Sequence, residues 1–204
     1  MLISKRNIID LISSYNRIFI VKASKAYTAP LFTSRSLASA GRMDVVARSI
    51  ISALDPAHKD ETVIVFTLEG PPNPPLLLAL VGREMHTVPL GESMMGEILF
   101  NILNNKKIKG SYVMRLSFNT LIADVVEKLG KDKVLYMHEE GEDLRKIKKA
   151  KAFILGDHLG VDKSTEEFIL HELSIKRASL GPLPYFTSHC ITLIHEELDR
   201  INDD

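Results

Sequence analysis

The chain has one cysteine, Cys190, in 204 residues. That excludes an intrachain disulfide framework and a zinc site built from several thiolates, and it suits a reducing compartment. Charge of one sign is also missing. Lys plus Arg number 26 and Asp plus Glu number 26, so no global field draws a polyanion, and nucleic-acid binding would need a local basic face. No apolar run approaches the length of a membrane-spanning helix. Lys5, Arg6 and Asp10 interrupt the apolar stretch near the N-terminus, which breaks a signal-peptide core. A cytoplasmic protein is expected. Gly156 and Gly160 do not give a Gly-x-Gly-x-x-Gly turn, and no Gly-Lys-Ser/Thr follows, which excludes Rossmann and P-loop nucleotide sites. His158, His189 and His195 gather near the C-terminus, and His171-Glu-Leu-Ser begins like a zincin helix. No second histidine follows at the required spacing, so no metal site is expected. His158 and His189 are expected to brace loop backbone by hydrogen bonds.

What is present is alternation. Short β-rich runs occur at Arg17–Val21, Thr62–Leu68, Leu76–Val81, Lys133–Met137, Ala152–Leu155 and Ile175–Ser179. Several are apolar on both faces, as central strands of a mostly parallel sheet must be. Between them, helical spacing of apolar residues predicts helices over Met43–Leu54, Met94–Leu103, Thr120–Leu129, Thr165–Leu173 and Ser188–Ile201. Ser117 is a fitting N-cap, and Gly130 a fitting stop, for the third of these. Glu69-Gly-Pro-Pro-Asn-Pro-Pro75 fits neither helix nor central strand. The pattern reads as α/β, one domain spanning residues 1–204.

Two stretches in the last quarter stand out: Phe153-Ile-Leu-Gly-Asp-His-Leu-Gly160, and Ser179-Leu-Gly-Pro-Leu-Pro-Tyr-Phe-Thr-Ser-His-Cys-Ile191. Each runs from an apolar strand into a glycine-bearing loop, the place where open α/β sheets bind ligands. With Tyr136-Met-His-Glu-Glu-Gly141, three such loops are able to converge on one crevice. Gly156, Gly160 and Gly181 would let backbone approach an adenine or ribose, between Met137, Leu155, Leu180 and Ile191. The plainer alternative is that the glycines only end secondary structure and Cys190 is an inert buried thiol. A second block, Ala38-Ser-Ala-Gly-Arg-Met-Asp44, turns at Gly41 and sets Arg42 and Asp44 at a helix N-terminus, within reach of an anion or base. Here too a plain cap and a surface charge are the competing reading. Lys106, Lys107, Lys109 and Arg115, with Tyr112 available for stacking, form a local basic stretch suited to RNA backbone. A solvated charged loop explains the same residues, and Arg35, Arg42 and Arg48 offer a second patch.

These blocks, in this order, resemble the TrmY family of SPOUT methyltransferases. The matching stretches are Gly41-Arg-Met-Asp44, Glu69-Gly-Pro-Pro72, Met137-His-Glu-Glu-Gly-Glu-Asp143, Leu155-Gly-Asp-His158, and Ser179-Leu-Gly-Pro182 with His189-Cys-Ile191. Met137 stands where leucine is commoner, a volume-conserving change. The resemblance implies a mostly parallel SPOUT sheet flanked by helices, a C-terminal trefoil knot and a homodimer. It also implies transfer of a methyl group from S-adenosyl-L-methionine to N1 of pseudouridine 54 in the T-loop of tRNA. Carried over by position, Met137, Gly156, Leu180 and Cys190 contact the cofactor. Arg42 contacts phosphate or base, and Asp44 recognises the flipped pseudouridine. Pseudouridine carries an N1–H that uridine lacks, so a carboxylate such as Asp44 would both read that proton and accept it. Three alternatives stay open: a ribosomal RNA pseudouridine N1-methyltransferase of the Emg/Nep type, a non-catalytic cofactor- and RNA-binding protein, and an unrelated small-molecule-binding α/β domain.

Overall fold

All seven residues of strand β1 (Arg17–Ala23) are buried, because the strand lies inside a sheet covered on both faces. In the computed structural model, which describes residues 4–202, six further strands join it. They are β2 (Thr62–Leu68), β3 (Leu76–Val81), β4 (Ser111–Met114), β5 (Val134–Asp143), β6 (Ala152–Gly156) and β7 (Lys176–Ser179). The order across the sheet is β4-β3-β2-β1-β6-β5-β7. β2, β1, β6, β5 and β7 run parallel, while β3 and β4 add an antiparallel edge. The helices are α1 (Lys5–Ser13), α2 (Met43–Ala53), α3 (Glu92–Leu103), α4 (Phe118–Leu129), α5 (Lys163–Glu167) and α6 (Thr187–Asn202).

Alternation along the strands divides the core. Phe19, Val21, Ile64, Phe66 and Leu78 face one layer, packed with residues of α2, α3 and α6. Ile18, Ile20, Val63, Val65 and Ala79 face the other, packed with α1 and α4. That period-two division is why the runs are apolar throughout instead of alternating.

The expected strands are all present, and so are four of the five expected helices. Ser117 caps α4 by accepting from the Thr120 amide, and the Gly130 amide closes the helix on the Val126 carbonyl. Two elements escaped the sequence reading. Helix α1 is short and its apolar face is narrow, and β4 is a partly exposed edge strand of four residues. The single helix expected over Thr165–Leu173 is instead α5 followed by one π turn at Phe168–Glu172. Tyr136–Gly141, expected as a strand-end loop, lies within β5, which runs on to Asp143. It re-pairs with β7 after a register shift between Met137 and Glu142.

Beneath the sheet, where the parallel strands begin, the far half of α6 meets a cluster of buried polar groups. His195 is 2% exposed. Arg17 Nη1 lies 3.0 Å from His195 Nδ1, and His195 Nε2 lies 3.1 Å from the Ala53 carbonyl. Arginine only donates, so Nδ1 accepts and Nε2 carries the proton. The His58 ring stacks on His195 at 4.3 Å and bonds Asp199 at 2.8 Å. Arg17 also pairs with Asp199 and approaches Glu61 at 3.5 Å. Burial pushes the His195 pKa down to about 4, with His58 and Arg17 adding to the shift.

Candidate active site

Because β5, β6 and β7 run parallel, their C-terminal ends emerge on one side of the sheet. There the three loops bound a cavity of about 620 Å³, within the range of small-molecule sites. Met137, Leu155, Gly156, Leu180 and Cys190 all lie in its wall, so the four residues expected to touch a cofactor share one space. Side chains fasten the loops together. The Thr187 hydroxyl donates to the Gly156 carbonyl at 2.8 Å, tying the start of α6 to the end of β6. Ser179 Oγ donates to the Glu139 carbonyl at 3.1 Å and accepts from the Gly181 amide at 3.0 Å. Asp157 accepts from the amides of Ser24 and Leu159 at 2.6 and 2.8 Å. Buried Lys22, in register with Gly156, holds Glu69 at 2.6 Å and Asp162 at 3.0 Å.

Gly156 is required by packing. A Cβ there would fall 2.4 Å from the backbone of Gly160. Burial pushes the Cys190 thiol up to about 11, so it is a neutral packing group and not a nucleophile. Leu183 and Phe186, at the rim, are 63% and 61% exposed. A wall that mixes apolar side chains such as Met137, Leu155 and Leu180 with polar and charged groups, under an apolar rim, fits an adenosine-bearing ligand with a polar tail.

The substrate-side block sits at the mouth of α2. Arg42 caps that helix in the left-handed conformation, φ 67°, which is uncommon outside glycine and asparagine. Its guanidinium thereby folds back onto Asp44, with Nε–Oδ1 at 2.9 Å and Nη2–Oδ2 at 3.0 Å. Arg48, one turn along, bonds the same carboxylate. Burial raises the Asp44 pKa, but hydrogen bonding and charge from Arg42, with Arg48 behind, outweigh it and hold the group below the usual carboxylate range. Asp44 is therefore ionised and weakly basic. The loop before it is pinned at backbone level. Gly41, at φ 64°, presses on the Lys25 carbonyl, where an added Cβ would lie 1.6 Å from the oxygen; at Gly70 the same test gives 2.1 Å. The proline loop that starts there is thus docked beside the Arg42 turn.

Other expectations change. Ile191 does not line the cavity; it is fully buried in the core. His158 lies 3.7 Å from Asp157, and His189 stands edge-on to Phe186. The histidines that bond backbone are His138, which accepts from the Glu140 amide, and His195. Tyr112 is partly buried against the core and donates its hydroxyl to Glu84 at 2.7 Å. Arg115 Nη1 bonds the carbonyls of Asn73 and Pro75, bracing the proline loop. Lys106, Lys107 and Lys109 are exposed but precede β4, whose Ser111 pairs with Leu80 at the end of the sheet where β2 begins. They lie at the opposite end and the opposite edge from the cavity, so the structure does not bring them to Arg42 and Asp44.

Tyr136, Glu166 and Arg48 also line the cavity; none was expected as a cofactor contact, and Arg48 was expected only in a second basic patch with Arg35 and Arg42. Burial, with the Glu166 carboxylate beside it, holds the Tyr136 phenol well above its ordinary value. Arg177 bonds Glu166 at 2.9 Å from β7. For Arg48 a signal was present: it stands four residues after Asp44, the spacing that pairs side chains on a helix.

Comparison with known proteins bears on this geometry. A family model described as "Putative SAM-dependent RNA methyltransferase" matches residues 16–202. The chain is 34% identical over 201 residues to a tRNA (pseudouridine(54)-N(1))-methyltransferase of Methanocaldococcus jannaschii, covering 90% of this chain and 97% of that one. An enzyme of the same name from Pyrococcus abyssi is 31% identical over 205 residues, covering 91% and 98%. Among solved structures, Archaeoglobus fulgidus Nep1 bound to S-adenosylhomocysteine shares the fold with a TM-score of 0.66 and 14% identity, covering 93% of this chain and all of that one.

Proposed function

The chain belongs to the SAM-dependent RNA methyltransferase family, among the tRNA (pseudouridine(54)-N1)-methyltransferases, and from that premise we propose that it methylates N1 of pseudouridine 54 in the T-loop of tRNA. The observation that carries the reading is the cavity at the ends of β5, β6 and β7, with Met137, Gly156, Leu180 and Cys190 together in its wall. S-adenosylmethionine supplies an electrophilic methyl group there. Gly156 and the loop after β7 receive the adenosine. Arg42 and Asp44 hold the target base beside it. Asp44, ionised and flanked by two guanidiniums, accepts the N1–H hydrogen bond that uridine cannot offer. The rate advantage then comes mostly from placing two reactants in line.

Further parts belong to the same proposal. The chain is one SPOUT domain with a trefoil knot near its C-terminus, supported by β6 entering between β1 and β5 and by the fold shared with Nep1. It works as a homodimer, supported by the exposed Leu183 and Phe186 at the cavity rim. Lys106, Lys107 and Lys109 contact tRNA backbone away from the target base. A cytoplasmic location goes with a tRNA substrate, and among the described residues no helix is long and apolar enough to cross a membrane.

The test is methyl transfer from labelled S-adenosylmethionine to paired tRNA transcripts, one with pseudouridine and one with uridine in the T-loop. Transfer confined to the pseudouridine transcript is the expected result. Transfer to neither, with cofactor still bound, would overturn the tRNA assignment and favour a ribosomal RNA target.

A further inference from the structure

The charges around the cavity are unevenly placed. Glu139, Asp157 and Glu166 supply carboxylates, and His138 and His158 each sit beside one of them, at 3.9 and 3.7 Å. Among the described residues that line the cavity, Arg48 alone is a permanent cation. It reaches the wall from α2, next to Val45. Its Nε donates to the Asp44 carbonyl at 3.3 Å and lies 3.5 Å from Glu92, while its Nη2 bonds the Asp44 carboxylate. Nη1 makes no hydrogen bond among the described residues, and the side chain is 43% exposed. A guanidinium held at one edge with a free pair of donors is suited to a carboxylate.

We propose that Arg48 binds the α-carboxylate of the cofactor's methionyl tail and so fixes the direction in which the methyl group points. This rests on the S-adenosylmethionine reading of the cavity. The tail carries the ligand's one carboxylate next to an α-ammonium; Arg48 is the lining cation that matches the first, and the carboxylates elsewhere around the cavity match the second. The methyl group is on the sulfur that joins adenosine to this tail. Anchoring the tail on α2 therefore turns the sulfur toward the Arg42–Asp44 side, where the target base is held. Arg48 then has two tasks: it aims Asp44 and it seats the cofactor beside it. That makes it a selector for ligands that keep an intact amino-acid tail.

The experiment is calorimetric titration of the full chain with S-adenosylhomocysteine, which has the tail, and 5′-methylthioadenosine, which lacks it. It is run on the unsubstituted protein, Arg48→Gln and Arg48→Lys. Gln keeps a donor for Asp44 but removes the charge; Lys keeps the charge. Arg48→Gln is expected to weaken S-adenosylhomocysteine about ten- to a hundredfold and leave methylthioadenosine within about twofold, with Lys in between. Unchanged methylthioadenosine binding also shows that the variant cavity is intact. Equal losses for both ligands, or no loss for S-adenosylhomocysteine, would overturn the assignment. If the unsubstituted chain binds neither compound, the cofactor reading itself fails and the role of Arg48 falls with it.

Discussion

Helix α6 begins in the wall of an open cavity and runs to a closed cluster of buried polar groups. At its start, apolar side chains such as Phe186 face solvent and the bonds that shape the site run between loops. Farther along, His195 is buried and both of its ring nitrogens are occupied. The near end is incompletely covered, while the far end is polar and closed, with both ring nitrogens of His195 bonded. An open apolar surface at the end of a sheet is what a ligand or partner covers. A buried hydrogen-bonded network instead fixes one packing of the helix, because each broken bond strands a desolvated group. Thus the two stacked histidines with an arginine and an aspartate at the base hold the helix, and the open cavity at the top is the candidate site.

Substitutions can break or sharpen that contrast. The largest effect is expected for Arg17→Ala, which removes the cation serving His195 and Asp199. Loss of one partner of a buried pair costs roughly 3–5 kcal/mol, and the half-exposed Asp199 puts this case near 3. Chemical denaturation should show it, with S-adenosylhomocysteine affinity little changed under native conditions.

Acid should act through the same end. The His195 pKa is about 4 in the fold against the ordinary histidine value of 6.5, so between those values the unfolded chain binds a proton that the folded chain refuses. Stability therefore falls as pH drops from about 6.5 and levels off below about 4, a total of about 3 kcal/mol. Asp44 and Asp199 have lowered pKa values, so their contributions are lost at lower pH, below the usual carboxylate value. Stability curves at pH 7, 5.5 and 4.5 should show the slope, and His195→Gln should flatten it.

At the open end, Gly156→Ala places a methyl group 2.4 Å from the Gly160 backbone. Displacing that loop should lower turnover about a hundredfold, read as initial rates at saturating cofactor. Asp44→Asn comes next. Turnover should drop at least about tenfold while S-adenosylhomocysteine binds normally; near-normal turnover with normal RNA affinity would remove Asp44 from the chemistry. Replacing Lys106, Lys107 and Lys109 by Gln should have the smallest effect, a few-fold weaker tRNA binding and a salt slope shallower by about 2. An unchanged slope would leave the far corner of the sheet out of the RNA surface.

The sequence carried the cavity better than its charges. Leu155-Gly-Asp and Ser179-Leu-Gly-Pro mark where strands stop and backbone is bare, and such local signals survive folding. The β5 bulge did not announce itself, because its residues pair with β7 only through a register shift imposed by tertiary contact. Charged residues were hardest to assign, since a side chain's partner is chosen in three dimensions. Arg115 looked like an RNA contact and braces Asn73 and Pro75. Arg48 read as part of a second basic patch with Arg35 and Arg42, and it stands between Asp44 and the cavity. Lys106 and Arg42 seemed equally suited to RNA, but the antiparallel turn into β3 and β4 sends the lysines to the other end.

The Lys25 carbonyl, pressed by Gly41 and close to Gly70, has a kinetic consequence. Two chain segments meet a third at backbone atoms, with no side chain between them to swing or compress. The Arg42 turn is accordingly set before any ligand arrives, and an encounter need not wait for a lid to shut. In rapid mixing, the observed rate of ligand capture should rise in proportion to ligand concentration, with no plateau marking a slower rearrangement.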